Sequence, residues 1–205
     1  ATLFDFPFED RKLLTWWSDV ATMDLEGGGP ITTEEQRQEE LGKCLAYFTR
    51  LWNERVNAPP SNDLISMMAH SPATRNMQPS EFLGNLVLLI VGGNDTTRNS
   101  ISGGLLALLQ NPGEFAKLRA NPGLIPNMVP EIIRWVTPLA HMRRTALADA
   151  ELGGKQIKAG DRVVMWYLSG NRDGESIENP DQFIIDRARP RQHISFGFGI
   201  HRCVG

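Results

Sequence analysis

The chain has 205 residues, a formal net charge of −3 and a hydrophobic share of 41%. That length suits one large domain or two small ones, and the apolar share supports a sizeable core. The slight acidity gives no electrostatic pull toward nucleic acid or an anionic membrane, and no uninterrupted apolar run of about twenty residues spans a bilayer.

No signal peptide opens the sequence. Two cysteines, Cys44 and Cys203, are too few for a disulfide framework. A cytoplasmic protein with neither membrane span nor nucleic-acid partner is therefore expected. No Met stands at position 1, and the sequence stops two residues after Cys203. A helix is expected to follow there, so the chain reads as an internal piece of a longer protein.

Residues 1–30 form an aromatic, mildly amphipathic stretch with Phe4, Phe6, Phe8, Trp16 and Trp17, closed by the breaker Gly27-Gly28-Gly29-Pro30. Thr33-Glu34-Glu35-Gln36 is a capping-box pattern. The helix it opens runs to about Asn57, with Leu41, Leu45, Phe48, Leu51 and Trp52 at helical spacing and Cys44 as a small core hydrophobe. Pro59-Pro60 stops it. A short helix capped by Asn62 or Ser61 extends to Met68. Met67, Met68 and Met77 read as core filling.

The longest predicted helix runs from Pro79 to Gln110, ended by Asn111-Pro112. It spans about 45 Å at a 1.5 Å rise per residue. From Phe82 to Val91 it is apolar on nearly all sides, which predicts burial all round. Gly92-Gly93-Asn94-Asp95-Thr96-Thr97 then interrupts the apolar rod. Each glycine costs about 1 kcal/mol of helix stability relative to Ala. A Thr hydroxyl can bond back to the carbonyl one turn earlier, here Thr96 to Gly92. A local opening beside a carboxylate and a hydroxyl is the expected product; glycines that merely let helices pack, with a satisfied Asp, are the plain alternative.

A short helix spans residues 112–122. Glu131 and Arg134 stand at i and i+3 on one helix face. This is either a surface pair worth a few tenths of a kcal/mol or a buried bidentate bond, which a guanidinium suits. Pro130 implies a helix that starts there or bends there. After Thr137-Pro138 the period changes. Residues 141–146, 151–157 and 160–168 read as short strands with a Gly153-Gly154 turn. The fold class is mainly α with a small β region, without internal repeats or low-complexity runs.

The last ten residues carry the sharpest signal, Phe196-Gly197-Phe198-Gly199-Ile200-His201-Arg202-Cys203-Val204-Gly205. Glycines let a backbone wrap closely around a sulfur, and backbone N–H groups aimed at sulfur favour a thiolate. A buried thiolate in such a setting suits a soft metal ligand. His201 and Arg202 can hold an anionic part of a cofactor. A glycine-rich turn around an inert cysteine is the plain alternative.

This pattern resembles the haem-binding signature of the cytochrome P-450 family, with every fixed position matched, and that family ligates haem through a cysteine thiolate. The resemblance extends over nearly the whole chain, from lid helices through the cysteine loop, and implies a single partial haem domain over residues 1–205. It implies haem b with Cys203 as iron ligand and Phe196, Gly197, His201 and Arg144 as cofactor-binding residues, Arg144 at a haem propionate. The run 92–97 resembles the family's oxygen-binding helix, which makes Asp95 and Thr96 the acid–alcohol pair that delivers protons. Position 92 is Gly where many members have Ala. Gly92, Gly93, Leu139 and Ala140 fall where the family has its substrate pocket. Glu131 and Arg134 match the Glu-x-x-Arg motif, and Arg187 matches the arginine that joins it. Gly170-Asn171-Arg172-Asp173 resembles a structural turn of the family.

The implied function is a haem-thiolate monooxygenase that inserts one oxygen atom from O2 into a C–H bond of a small apolar substrate. Val91–Ser100 and Thr137–Arg144 look like the bacterial alkane and fatty-acid terminal hydroxylases. Electrons would then come from NAD(P)H through a ferredoxin reductase and a ferredoxin. Two other readings stand beside it: a non-catalytic haem-binding or oxygen-sensing protein on the same fold, and a dinucleotide-binding module using Gly197 and Gly199 after a strand at 193–196. The latter lacks its third glycine, because position 202 is Arg.

Overall fold

A computed structural model describes residues 1–203. The glycine expected to close the cysteine loop at position 205 lies outside the described residues. The chain forms two compact units, Ala1–Asp95 and Thr96–Gly205.

The first unit is helical. Two 3-10 turns, Thr2–Phe4 and Phe8–Asp10, lead into α1 (Arg11–Thr22); α2 (Glu34–Val56), α3 (Leu64–His70) and the start of α4 (Pro79–Gln110) follow. Thr33 caps α2 through a reciprocal capping box with Gln36. α3 is capped by Asp63 rather than by Asn62 or Ser61, because its carboxylate accepts the Ser66 N–H at 2.8 Å. The core joins Phe4, Phe6 and Trp17 to Cys44, Phe48 and Leu51. Phe6 and Tyr47 stack with ring centroids 4.7 Å apart. Cys44 is fully buried, and burial pushes its thiol up to about 12, so it stays protonated and inert.

Helix α4 keeps its predicted limits and is unbroken through the glycine-rich run. Its burial differs from the expectation. Phe82, Leu86 and Ile90 enter the first core with Leu83 and Leu89 packed against it, while Leu88 is 71% exposed. Four-residue spacing places one ridge of a helix inward and leaves the opposite face outward.

The second unit contains the rest of α4, α5 (Pro112–Ala120), a 3-10 turn, α6 (Ile125–Val136), strands β1 (His141–Thr145), β2 (Ala150–Leu152), β3 (Lys155–Ile157) and β4 (Arg162–Trp166), and the short α7 (Tyr167–Gly170). β1 pairs antiparallel with β4, and β2 with β3. α6 begins before Pro130 and continues through it. A Cβ added to Gly103 or Gly104 would lie 2.7 Å from Val136 or Ile132, so α4 and α6 approach closely only because both positions lack a side chain. Beneath this contact Ala107 and Leu108 pack with Phe183 and Ile185. Beyond α7 the described residues contain no regular helix or strand, so the strand suggested at 193–196 is absent.

Candidate active site

α6 supplies the anchor of the second unit. Glu131 and Arg134, one turn apart, are both fully buried. Arg134 Nε and Nη2 donate to the two Glu131 carboxylate oxygens at 2.8 Å each. Its remaining N–H groups reach the carbonyls of Asn171 (2.9 Å), Pro180 (2.8 Å) and Gln182 (3.0 Å). All five guanidinium N–H donors are thereby used.

Arg187 donates to Glu131 at 3.0 and 3.3 Å, and to the carbonyls of Glu178, Asn179 and Gln182. The Ile184 N–H adds a third donor residue on the carboxylate side, at 2.9 Å from Oε1. Burial alone would raise the Glu131 pKa; hydrogen bonds from Arg134, Arg187 and Ile184 outweigh it and hold the carboxyl below its ordinary value. Glu131, Arg134 and Arg187 thus form one network that shapes residues 171–187, a stretch with no ladder of its own.

The segment leading to Cys203 is tied to the same frame. Gly197 and Gly199 adopt φ of +70° and +83°. A Cβ at Gly197 would sit 2.8 Å from the Tyr167 hydroxyl, so both conformation and space demand glycine there. The Gly197 N–H donates to the Ile194 carbonyl at 2.8 Å, and the Cys203 N–H to the Phe196 carbonyl at 2.9 Å. These bonds fold the loop back on itself.

Cys203 is exposed, as are Phe198, Ile200, His201 and Arg202; the sequence reading placed the sulfur in a buried setting. Phe196 and Gly197 are half-buried, and exposure begins at Phe198, which is 91% exposed. Arg144 is half-buried on β1, where Nη1 donates to the Arg143 carbonyl at 3.0 Å. Among the described residues no carboxylate pairs with it. Leu139 is exposed and Ala140 half-buried, just before β1.

Gly92, Gly93, Asp95 and Thr96 all lie on α4, the first three in the first unit and Thr96 in the second. A Cβ built at Gly92 or Gly93 meets nothing within 4 Å. Asp95 and Thr96 are half-buried.

Among the described residues no three His, Cys, Asp or Glu side chains cluster to hold a bare metal ion. A metal bound through Cys203 would therefore bring most of its own ligands. An accessible sulfur, an exposed aromatic ring and the adjacent Arg202 guanidinium suit a flat apolar group that carries carboxylates. The residues present fit a metalloporphyrin.

A cytochrome P-450 family model matches residues 123–205, which include the buried network and the cysteine loop. Over its whole length the chain superposes on a cytochrome P-450 from Novosphingobium aromaticivorans, with TM-score 0.86 and 53% identity. The chain belongs to the cytochrome P-450 family.

The Novosphingobium match covers 49% of that chain. Linalool 8-monooxygenase of Pseudomonas putida is 42% identical over 174 residues, 83% of this chain and 42% of that protein. A steroid C26-monooxygenase of Mycolicibacterium smegmatis is 32% identical over 200 residues, 96% of this chain and 49% of that protein. The chain thus spans about half the length of the relatives it matches, and across it no described helix is long and apolar enough to cross a membrane.

Sequence reasoning treated Asn171 only as part of a turn. In the structure it is fully buried, and its side-chain amide bonds Thr137, Ile194 and Ser195. Its signal was an Asn between Gly170 and Arg172, able both to donate and to accept. His193 was likewise passed over. Its Nδ1 is buried with no hydrogen-bond partner among the described residues. Burial, with the charges of Arg134 and Arg202, lowers its pKa.

Proposed function

We propose that the enzyme carrying this chain is a haem-thiolate monooxygenase, with terminal hydroxylation of alkanes or fatty acids as its activity. The observation that carries the reading is the accessible Cys203 on a loop bent by two left-handed glycines and fastened through Phe196. Bound haem b supplies the activation of dioxygen and the transfer of one oxygen atom to a C–H bond.

The chain's residues then divide the work. The Cys203 sulfur holds the iron, and the loop glycines let the backbone approach it. Phe196, Gly197 and His201 border the cofactor, and Arg144 binds a propionate through its guanidinium. Gly92 and Gly93 leave space for small molecules. The Asp95 carboxylate and the Thr96 hydroxyl would pass protons inward, the role of general acid–base groups. Leu139 and Ala140 offer apolar surface to the substrate. Electrons come from NAD(P)H through a ferredoxin and its reductase.

The alkane and fatty-acid assignment is supported by the resemblance of Val91–Ser100 and Thr137–Arg144 to those hydroxylases. Relatives named for linalool and steroid oxidation make the substrate the point to test. The full-length enzyme is to be reduced under carbon monoxide, then supplied with a surrogate ferredoxin system and offered alkanes, fatty acids, terpenes and steroids. A thiolate-type carbonyl spectrum and terminal alcohols from linear chains support the reading. Turnover of terpenes or steroids alone overturns the substrate class. Thr96→Ala is expected to consume oxygen without matching product; unchanged coupling removes the proton-delivery role.

A further inference from the structure

One buried amide joins the C-terminal end of α6 to the start of the cysteine loop. Asn171 Nδ2 donates to Thr137 Oγ1 at 2.9 Å and to Ser195 Oγ at 2.7 Å. Its Oδ1 accepts the Ile194 N–H at 2.8 Å. The protons of the two hydroxyls are already committed: Thr137 Oγ1 donates to the Arg134 carbonyl at 2.7 Å, and Ser195 Oγ to the Ile133 carbonyl at 3.0 Å. Both oxygens therefore present only lone pairs to position 171. A residue there must donate twice and accept once, which a primary amide does.

The segments on either side of this amide both need fixing. Thr137 closes α6 at φ 42° and ψ 64°, a left-handed conformation that a β-branched residue rarely adopts. Ile194 and Ser195 precede Phe196, whose carbonyl holds the Cys203 N–H, and the Ile194 carbonyl holds Gly197. The Ile194 side chain also fills the space at Gly170, where an added Cβ would lie 2.4 Å from Cδ1. The root of the cysteine loop thus has one polar clamp and one apolar one.

We propose that Asn171 is a positioning residue for the iron ligand: its amide fixes the root of the cysteine loop to the end of α6 and so sets where Cys203 points. The proposal rests on Cys203 ligating haem. It concerns donation, not the filling of space. Asn171→Asp keeps the shape of the side chain but turns a carboxylate toward lone pairs. Asn171→Ala removes the clamp and leaves the Ile194 N–H unpaired.

The test uses the full-length enzyme and three variants, Asn171→Asp, Asn171→Ala and Ser195→Ala. Haem affinity is read by titrating apoprotein, and ligation by the carbonyl spectrum of the reduced protein. Affinity should fall about tenfold to a hundredfold in both Asn171 variants, the range usual for groups that orient a metal ligand. The bound fraction should move from a thiolate-type toward a thiol-type spectrum. Ser195→Ala should shift it less, in the same direction.

A folded Asn171→Asp protein with the parent's affinity and spectrum, changed only in thermal midpoint, overturns the proposal. If neither Asn171 variant accumulates, Ser195→Ala decides: a parental spectrum overturns the proposal and a shifted one supports it. A parent enzyme without a thiolate-type spectrum overturns both this proposal and the reading of Cys203; a normal parent with unaffected variants overturns this one alone.

Discussion

Glu131 grips the fork of Arg134 with both carboxylate oxygens, each at 2.8 Å, and neither side chain reaches solvent. Breaking such a buried pair from one side leaves an uncompensated charge and costs about 3–5 kcal/mol. Arg134→Ala should lose that much in denaturant unfolding of the full-length enzyme. Arg134→Lys should recover little of it, because three ammonium donors cannot serve one carboxylate and three carbonyls. Full recovery by Lys would show that only the charge matters.

The pH dependence of stability should have two stages. The folded His193 pKa is depressed, so the unfolded chain binds its proton more tightly. Stability contributed by neutral His193 is present above the unfolded value of about 6.5 and is lost as pH falls through the lower folded value. Glu131 is also depressed, so its contribution is present above about 4.3 and lost in more acidic solution. Thermal midpoints measured from about pH 8 to about pH 3 should therefore fall first with the histidine and then with the carboxylate. His193→Gln should remove the first stage and leave the second.

Two glycines of α4 should answer alanine in opposite directions. Alanine favours a helix by about 1 kcal/mol over glycine. At Gly84 an added Cβ meets nothing within 4 Å, so Gly84→Ala should stabilise the protein. At Gly104 the same atom lies 2.7 and 2.8 Å from Ile132 carbons, and overpacking costs about 1–3 kcal/mol. Gly104→Ala should gain nothing or destabilise. Equal effects at both sites would mean that α6 yields freely.

The capping box gives a local test of the first unit. Thr33 accepts from the Gln36 N–H at 3.3 Å, and Gln36 Oε1 accepts from the Thr33 N–H at 3.3 Å. Thr33→Ala should cost about 1 kcal/mol of stability, read as a lower thermal midpoint, while Thr33→Asp should be tolerated.

Much of this was legible in the sequence because it rests on local rules. Pro79 and Asn111-Pro112 delimit α4, and Thr33 with Gln36 opens α2. The i, i+3 pair and the glycine-rich cysteine pattern were visible as spacings. What escaped depends on long-range partners. The sequence left Glu131–Arg134 as either surface pair or buried bond, because burial is decided by carbonyls from residues 171–182. Asn171 looked like a turn residue because its three partners lie 34, 24 and 23 positions away. The all-round burial expected of α4 was overstated because one face, Phe82, Leu86 and Ile90 with Leu83 and Leu89 beside them, packs on the first core while Leu88 on the other side is exposed.

The arginine network also orders events during synthesis. Glu131 and Arg134 are made in one helical turn, but Arg187 comes more than fifty positions later, and until then Glu131 lacks that cation as a partner. A nascent chain paused in between therefore holds the Glu131–Arg134 pair without its second cation and without the carbonyls that satisfy the guanidinium. The irregular stretch 171–187 therefore completes the network from outside α6, bringing its carbonyls and Arg187 to a carboxylate and a guanidinium already set on one helical turn.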